Sequence, residues 1–379
     1  MIVCGETSGD LLGAQLMSAL TRLTHGAATF SGMGGPAMAN LGFETLFPLE
    51  ATSVMGIVEI VPAIPAILRL IRQVADFAIE TRPDAVIIVD SPEFTQRVAK
   101  AIRKRDPTIK IVNYVAPQVW AARPGRAKAM AKYLDLVLAL LPFEPPFFEK
   151  YGLKTVFVGH PAVERAARMR GGDDFRARHG IAPDVPLLAV LPGSRNSEVK
   201  PLLPIFSETV ALLAGRVPAL TTVLPIVPHV ADRVRAGCRN WPVPLILLEG
   251  EDEKFAAFAA ADAALAASGT VTTELALSNT PTVVGYKVNA LTAAIVSRFL
   301  IAKYITLTNL ILDREVMPEF LQDDCTPARL AAAAARFLTD RALADAVKTD
   351  LHCAMTAMGL GGQAPSTRAA LAILEFLKR

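Results

Sequence analysis

Pro186-Leu187-Leu188-Ala189-Val190-Leu191-Pro192-Gly193-Ser194-Arg195 is the stretch whose reading decides the fold. An unbroken apolar run feeds a tight turn. Apolar residues that do not alternate with polar ones predict a strand buried on both faces, as in a parallel sheet covered by helices. In the turn, Gly193 lets the backbone approach a diphosphate, the following amides point at it, and Arg195 can pair with its oxygens in a fork. Glu198 follows Arg195 by three positions, so an internal ion pair is the competing reading. A second turn, Ser268-Gly269-Thr270, also opens a helix, with Glu274 one turn in. A carboxylate there can accept hydrogen bonds from both ribose hydroxyls. Together the two turns look like the halves of a nucleotide-diphosphate site.

The same alternation runs along the whole chain. Candidate strands are Met1–Cys4, Ala85–Val89, Lys110–Tyr114, Leu136–Leu140, Thr155–Val158, Leu187–Leu191, Thr221–Pro225, Leu245–Leu248, Ala263–Ala266 and Thr282–Tyr286. Amphipathic helices such as Leu11–Leu23 and Phe94–Arg105 lie between them. This predicts an α/β protein with two doubly wound, Rossmann-like domains facing a cleft. The break falls near Gly159-His160-Pro161, with a structural role expected for His160. The helical tail is Pro327–Leu338, Arg341–Ala357 and Pro365–Lys378. Gly359–Gly362 would let it cross back to the first domain. The expected domains are 1–160 plus 350–379, the acceptor and membrane-facing part, and 161–349, the nucleotide-binding part.

Composition narrows the function. The 379 residues suffice for two cores. Net charge is only +3, and no basic stripe carries interleaved aromatics, so nucleic acid is not an expected partner. Cys4, Cys238, Cys325 and Cys353 are scattered without a CxxC pair, which argues against a zinc site or a disulfide framework and fits a reducing cytoplasm. Glu6 and Asp10 interrupt any apolar leader. Mean hydropathy is high, at +0.38. Yet the greasiest stretch, 54–71, contains Glu59, Pro62, Pro65 and Arg69, too broken for a spanning helix of roughly 20 apolar residues.

The first half offers candidates for the group that receives the transfer. Gly5-Glu6-Thr7-Ser8-Gly9-Asp10 follows a strand and opens a helix, but lacks a phosphate-loop lysine. Its carboxylates would repel an anion, so it should face hydroxyls such as a sugar's, or the domain cleft; a helix start capped by Thr7 or Ser8 is the alternative. Gly32-Met33-Gly34-Gly35 reads as a flexible turn. Asp90, at a strand's carboxyl end, is either a general base or, with Ser91, a cap for the helix opened by Pro92. Trp120, near Arg123 and Arg126, either stacks a sugar beside an anion or packs at a domain interface. Asn309 lies in an apolar run and needs a partner. Ile64, Ile67, Leu68, Ile71 and Val74 share one helical face, as in a core helix or one lying on a membrane.

In order along the chain, GETSGD at 5–10, MGIVE at 55–59, DSPEF at 90–94, PQVWA at 117–121, LPFE at 141–144, GHP at 159–161, LPGSR at 191–195, SGTVTTE at 268–274, VGY at 284–286 and NL at 309–310 resemble the lipid-A-disaccharide synthases, inverting two-domain glycosyltransferases of the GT-B type. The resemblance runs nearly end to end, though Ala122 and Thr308 replace a common tryptophan and proline. It implies transfer from UDP-2,3-diacylglucosamine to the 6-hydroxyl of 2,3-diacylglucosamine 1-phosphate. The products are a β-1,6-linked disaccharide 1-phosphate and UDP. It implies no metal or other cofactor, and a peripheral site on the cytoplasmic face of the inner membrane in Gram-negative bacteria. In that frame Gly193, Ser194 and Arg195 hold the diphosphate, and Ser268, Gly269, Thr270 and Glu274 hold phosphate and ribose. Asn309 closes the nucleotide pocket and Asp90 is the base. Glu6, Thr7, Ser8, Asp10, Trp120 and Arg123 line the acceptor side, and residues 54–74 become a membrane or acyl-chain surface. Homodimerisation stays open. The rivals are a UDP-sugar epimerase or muramyl glycosyltransferase of the same fold, and a lipid- or nucleotide-binding protein without catalysis.

Overall fold

The computed structural model describes every residue except 48, 50–56, 123–124, 170, 289–301 and 379, and of 57–63 it describes the backbone alone. Two compact units emerge, Met1–Pro161 with Gly361–Arg379, and Ala162–Leu360.

The first unit carries a parallel six-stranded sheet of β1 (Ile2–Cys4), β2 (Gly32–Met33), β3 (Val86–Val89), β4 (Ile111–Tyr114), β5 (Leu136–Ala139) and β6 (Thr155–Phe157), in the order β2-β1-β3-β4-β5-β6. Apolar strands such as Val86-Ile87-Ile88-Val89 are fully covered, because helices lie on both faces of such a sheet. The order reverses between β1 and β3, and a crevice forms outside the strand ends at such a switch point. Gly32–Met33 is not a free turn. It pairs with Ile2–Val3, and a Cβ on Gly32 would lie 2.1 Å from the Ile2 carbonyl oxygen, with the backbone at φ +129°.

The second unit carries β7 (Leu187–Leu191), β8 (Thr221–Pro225), β9 (Leu245–Leu248), β10 (Ala263–Ala266), β11 (Thr282–Tyr286) and β12 (Glu319–Leu321), in the order β12-β11-β10-β7-β8-β9, again all parallel. Here the switch point lies between β7 and β10, the two strands that feed the turns at 191–195 and 267–270.

The tail divides later than expected. Leu351, Ala354, Met355 and Met358 are buried in the second unit's core, so 350–360 belong there and the return falls at Gly361. Helix Pro365–Leu377 then packs on helix Thr7–Leu23 in the first unit, burying Ala369, Ala370 and Ile373, with Arg22 donating to Thr367.

Helix Ile57–Thr81 contains the proposed surface face. Its second half is core: Leu70, Ile71, Val74, Ala75 and Ala78 are buried. Earlier, Ile67 is half-buried, while Ile64 and Leu68 are 41% and 51% exposed. Positions 54–56 and the side chains of 57–63, with the motif at 55–59, lie outside the described residues. Among the described residues no helix is long and apolar enough to cross a membrane.

Candidate active site

In the second unit the turns after β7 and β10 and the helices they open enclose a cavity of about 500 Å³. Its lining includes Gly193, Ser194, Arg195, Glu198, Lys254, Ser268, Gly269, Thr270, Glu274 and Tyr286. Glycine is required at both turns. Gly193 sits at φ +112°, and a Cβ there would lie 2.5 Å from that of Glu198. Gly269 sits at φ +149°, where a Cβ would meet only open space, so the backbone conformation alone selects it. Helix Thr270–Leu277 begins here with no side-chain cap, leaving its first amides toward the cavity.

The turn after β7 differs from the sequence expectation. The Glu198 carboxylate accepts hydrogen bonds from the Ser194 and Arg195 amides, at 2.9 and 3.3 Å. The amides assigned to the diphosphate are thus already partnered. The Arg195 guanidinium, 77% exposed, is 3.6 Å from Glu198 and remains available to a ligand.

Glu274 is 5% exposed. Its Oε1 accepts from Arg165 at 3.2 Å and its Oε2 from Lys254 at 3.0 Å. The sequence reading missed both cations. Lys254 closes the acidic run Glu251-Asp252-Glu253, which reads as a solvated helix start, and Arg165 lies in the segment just after the domain break. Each carboxylate oxygen has further lone pairs for ribose hydroxyls. Burial, with Glu198 adding and Arg195 opposing, raises the Tyr286 phenol above its usual range.

Asn309 does not line this cavity. Its amide is fully buried and donates to the Met317 carbonyl (2.7 Å) and to Glu319 (2.9 Å), while Oδ1 accepts from the Val316 and Met317 amides. Glu319 also receives the Ile305 and Thr306 amides. The asparagine's partners are therefore backbone groups and the Glu319 carboxylate, and together they fasten segment 305–312 to the approach to β12.

In the first unit the candidates gather at the carboxyl ends of β1 and β3. Gly5 and Gly9 allow the approach: a Cβ on Gly5 would lie 2.5 Å from Ser91 Oγ, and one on Gly9 would lie 3.0 Å from the Val89 carbonyl. Ser8 Oγ then donates to Asp90 Oδ2 at 2.7 Å. Glu6, Thr7 and Ser8 are exposed at the helix start, and no side chain caps it. Neither Asp90 nor Ser91 caps the following helix Pro92–Arg105, and Asp90 Oδ1 makes no hydrogen bond among the described residues. Asp90, Ser91 and Val115, at the ends of β3 and β4, have φ of +53°, +43° and +77°. Such left-handed backbone costs of order 1–3 kcal/mol per residue and clusters where side chains must be aimed.

Asp10 is the exception in its motif. It is buried, and its carboxylate accepts from the amides of Gly35, Ala37 and Met38 at 2.8, 2.8 and 3.1 Å. It caps the short helix Pro36–Ala39, with both of its oxygens occupied by backbone amides. Cys4 is buried, and that burial, with Asp10 and Asp90 adding, pushes its thiol far up.

Trp120 is half-buried, edge-on to Phe143 with ring centroids 5.2 Å apart. Its indole donates to Glu144 Oε1 at 3.1 Å, and the other oxygen of Glu144 accepts from the Leu140 and Leu141 amides. Burial raises the Glu144 carboxyl to about 7, against the pull of these hydrogen bonds. Arg126 is held by Gln96 and Glu93. Arg123 lies outside the described residues.

Two doubly wound parallel sheets, with a polar cavity at one switch point and an aspartate at the other, are the GT-B architecture shared by nucleotide-sugar glycosyltransferases and epimerases. Solved structures share that fold: UDP-GlcNAc 2-epimerase from Neisseria meningitidis (TM-score 0.62, 12% identity, covering 100% of this chain and 98% of that one), and MurG from Acinetobacter baumannii (TM-score 0.62, 15% identity, 99% of each). At such identities the likeness speaks for fold alone. The family model described as lipid-A-disaccharide synthetase matches residues 1–366. Lipid-A-disaccharide synthases from Rhodospirillum centenum and Paramagnetospirillum magneticum are 46% and 48% identical, over 100% of this chain and 94% and 97% of theirs. The chain belongs to the lipid-A-disaccharide synthetase family, and it is a glycosyltransferase of lipid A biosynthesis acting on lipid-linked sugars.

Proposed function

We propose that the chain joins UDP-2,3-diacylglucosamine to 2,3-diacylglucosamine 1-phosphate, giving the β-1,6-linked disaccharide 1-phosphate and UDP, with inversion and without a metal. Each unit supplies one observation that supports the reading: in the second, the cavity lined by Arg195, Lys254 and Glu274; in the first, the Asp90 carboxylate held at 2.7 Å by Ser8. Asp90 takes the proton of the acceptor 6-hydroxyl. That oxygen attacks the anomeric carbon from the face opposite UDP. The C1–O bond breaks with its electron pair going to the β-phosphate oxygen. Arg195 and the free amides at Gly269–Thr270 stabilise the charge that develops there. Glu274 holds the ribose. Both carboxylates of the cavity are engaged, Glu198 by amides and Glu274 by cations, which favours side-chain cations over a divalent ion as the stabiliser.

Glu6, Thr7, Ser8 and Trp120 line the acceptor side. Exposed Ile64 and Leu68 support peripheral docking on the inner face of the inner membrane. The test is UDP release from UDP-2,3-diacylglucosamine with and without the diacylglucosamine 1-phosphate acceptor. Acceptor-dependent release is expected; release without acceptor, or none at all, would sink the assignment.

A further inference from the structure

We propose that Lys254 is a donor-binding residue that contacts the nucleotide's diphosphate, while Arg165 serves only to position Glu274. The inference rests on the donor-pocket reading above and divides its charges.

Glu274 is a buried carboxylate with two cationic partners, where one neutralises it. The two are not equivalent. Lys254 lines the cavity; Arg165 does not. Arg165 therefore grips one oxygen of Glu274 outside the ligand's space, and its planar fork suits a fixed role. Lys254 carries three N–H donors. One goes to Glu274 Oε2 at 3.0 Å, and the others have no hydrogen-bond acceptor among the described residues. Its ammonium also rests over the Phe255 ring, 4.4 Å from the centroid, which anchors the stem.

The charge balance points the same way. The cavity wall holds Arg195 and Lys254 against Glu198 and Glu274. Arg165 behind the wall cancels one more negative charge, so the pocket is net positive and can accept an anion. The turn after β7 contributes less than its glycine suggests, because Glu198 already occupies the Ser194 and Arg195 amides. Arg195 itself is largely exposed to solvent, where screening weakens it. Lys254, with its side chain only 21% exposed, is the better-shielded cation of the wall. Placed beside the ribose-binding carboxylate, it can reach a diphosphate without leaving Glu274.

The test compares UDP with UMP, which share the ribose and differ by one phosphate, by calorimetry on the full chain. Lys254→Met should weaken UDP by roughly ten- to hundredfold, the equivalent of one lost charge-assisted hydrogen bond. UMP should weaken by clearly less, so the UDP preference shrinks. Lys254→Gln keeps a donor for Glu274 without the charge and should show the same shrinkage even if the methionine variant folds poorly. Lys254→Arg should restore much of the preference. Arg165→Met should weaken both nucleotides by the same factor. Equal losses of UDP and UMP in the Lys254 variants would reduce Lys254 to a prop for Glu274 and overturn the proposal, as would unchanged UDP affinity. If the unaltered protein binds neither nucleotide, the donor-pocket reading itself fails, and the proposal with it.

Discussion

The Ser8 hydroxyl donates a 2.7 Å hydrogen bond to Asp90 Oδ2 across the switch point of the first sheet. The bond fixes the carboxylate from one side and leaves Oδ1 without a protein partner among the described residues. A base needs that arrangement: held in place, with one oxygen ready for a substrate proton. Asp90→Asn should cut kcat by about a hundredfold or more while UDP affinity stays nearly unchanged. Ser8→Ala should cost about tenfold or less, since it frees the carboxylate without removing it. Steady-state kinetics with UDP calorimetry reads both. Loss of donor binding in Asp90→Asn would mark a structural aspartate instead.

Arg195→Ala should weaken UDP binding by roughly tenfold and leave the melting temperature almost unmoved. Its only ion pair among the described residues, with Glu198, is solvent-exposed on the arginine side, and such pairs add at most about 1 kcal/mol to stability. Unchanged UDP affinity would remove Arg195 from the diphosphate site.

Asn309→Ala should destabilise the second unit by about 2–4 kcal/mol, because it strands the Val316 and Met317 amides and the Met317 carbonyl. UDP affinity, measured well below the melting transition, should hold. A selective loss of affinity with intact stability would return Asn309 to the pocket.

Which parts were legible in the sequence follows from which forces leave a local trace. Val86–Val89 and Leu187–Leu191 are buried on both faces, so each shows as an unbroken apolar run. β2 and β12 are edge strands of two and three residues; too short for a pattern, they pair by tertiary placement. Gly193 and Glu274 were readable because their offsets from strand ends are fixed by the turn. Lys254 was not, since only the packing of its helix brings it to the cavity. Asp10 misled for a related reason. A carboxylate at a helix start looks the same whether it meets a ligand or a neighbouring loop, and only the fold brings the Gly35–Met38 amides to it. Asn309 in an apolar run shows the need for a partner, but nothing local says that the partners are the 316–317 backbone and Glu319.

Glu144 gives a pH signature. Its carboxyl rises from 4.5 to about 7 on burial, so between these values the native state binds more protons than the unfolded chain. Stability then falls as pH climbs through that window, by on the order of 1–3 kcal/mol. Urea unfolding at pH 5 and pH 8 should show the fall in the natural chain and a smaller one in Glu144→Gln. Identical pH dependence in both would place the titration elsewhere.

For the membrane, Ile64→Glu with Leu68→Glu should lower binding to anionic liposomes while leaving the melting temperature within a few degrees, because both side chains are already exposed. Val74→Glu, at a fully buried position on the same helix, should unfold the first unit. Unfolding by the double variant would make the whole helix core.

The return of the chain at Gly361 sets an order of events during synthesis. All of Ala162–Leu360 has been made before helix Pro365–Leu377 exists, so the chain of the second unit is complete a few residues before that of the first. The first unit, although translated first, lacks the cover that Ala369, Ala370 and Ile373 give to helix Thr7–Leu23 until residues 361–377 leave the ribosome. Ser8 and Asp90 therefore wait on an incomplete core for most of translation. The first unit, begun first, is thus the last to have its whole core, the reverse of the usual N-to-C sequence.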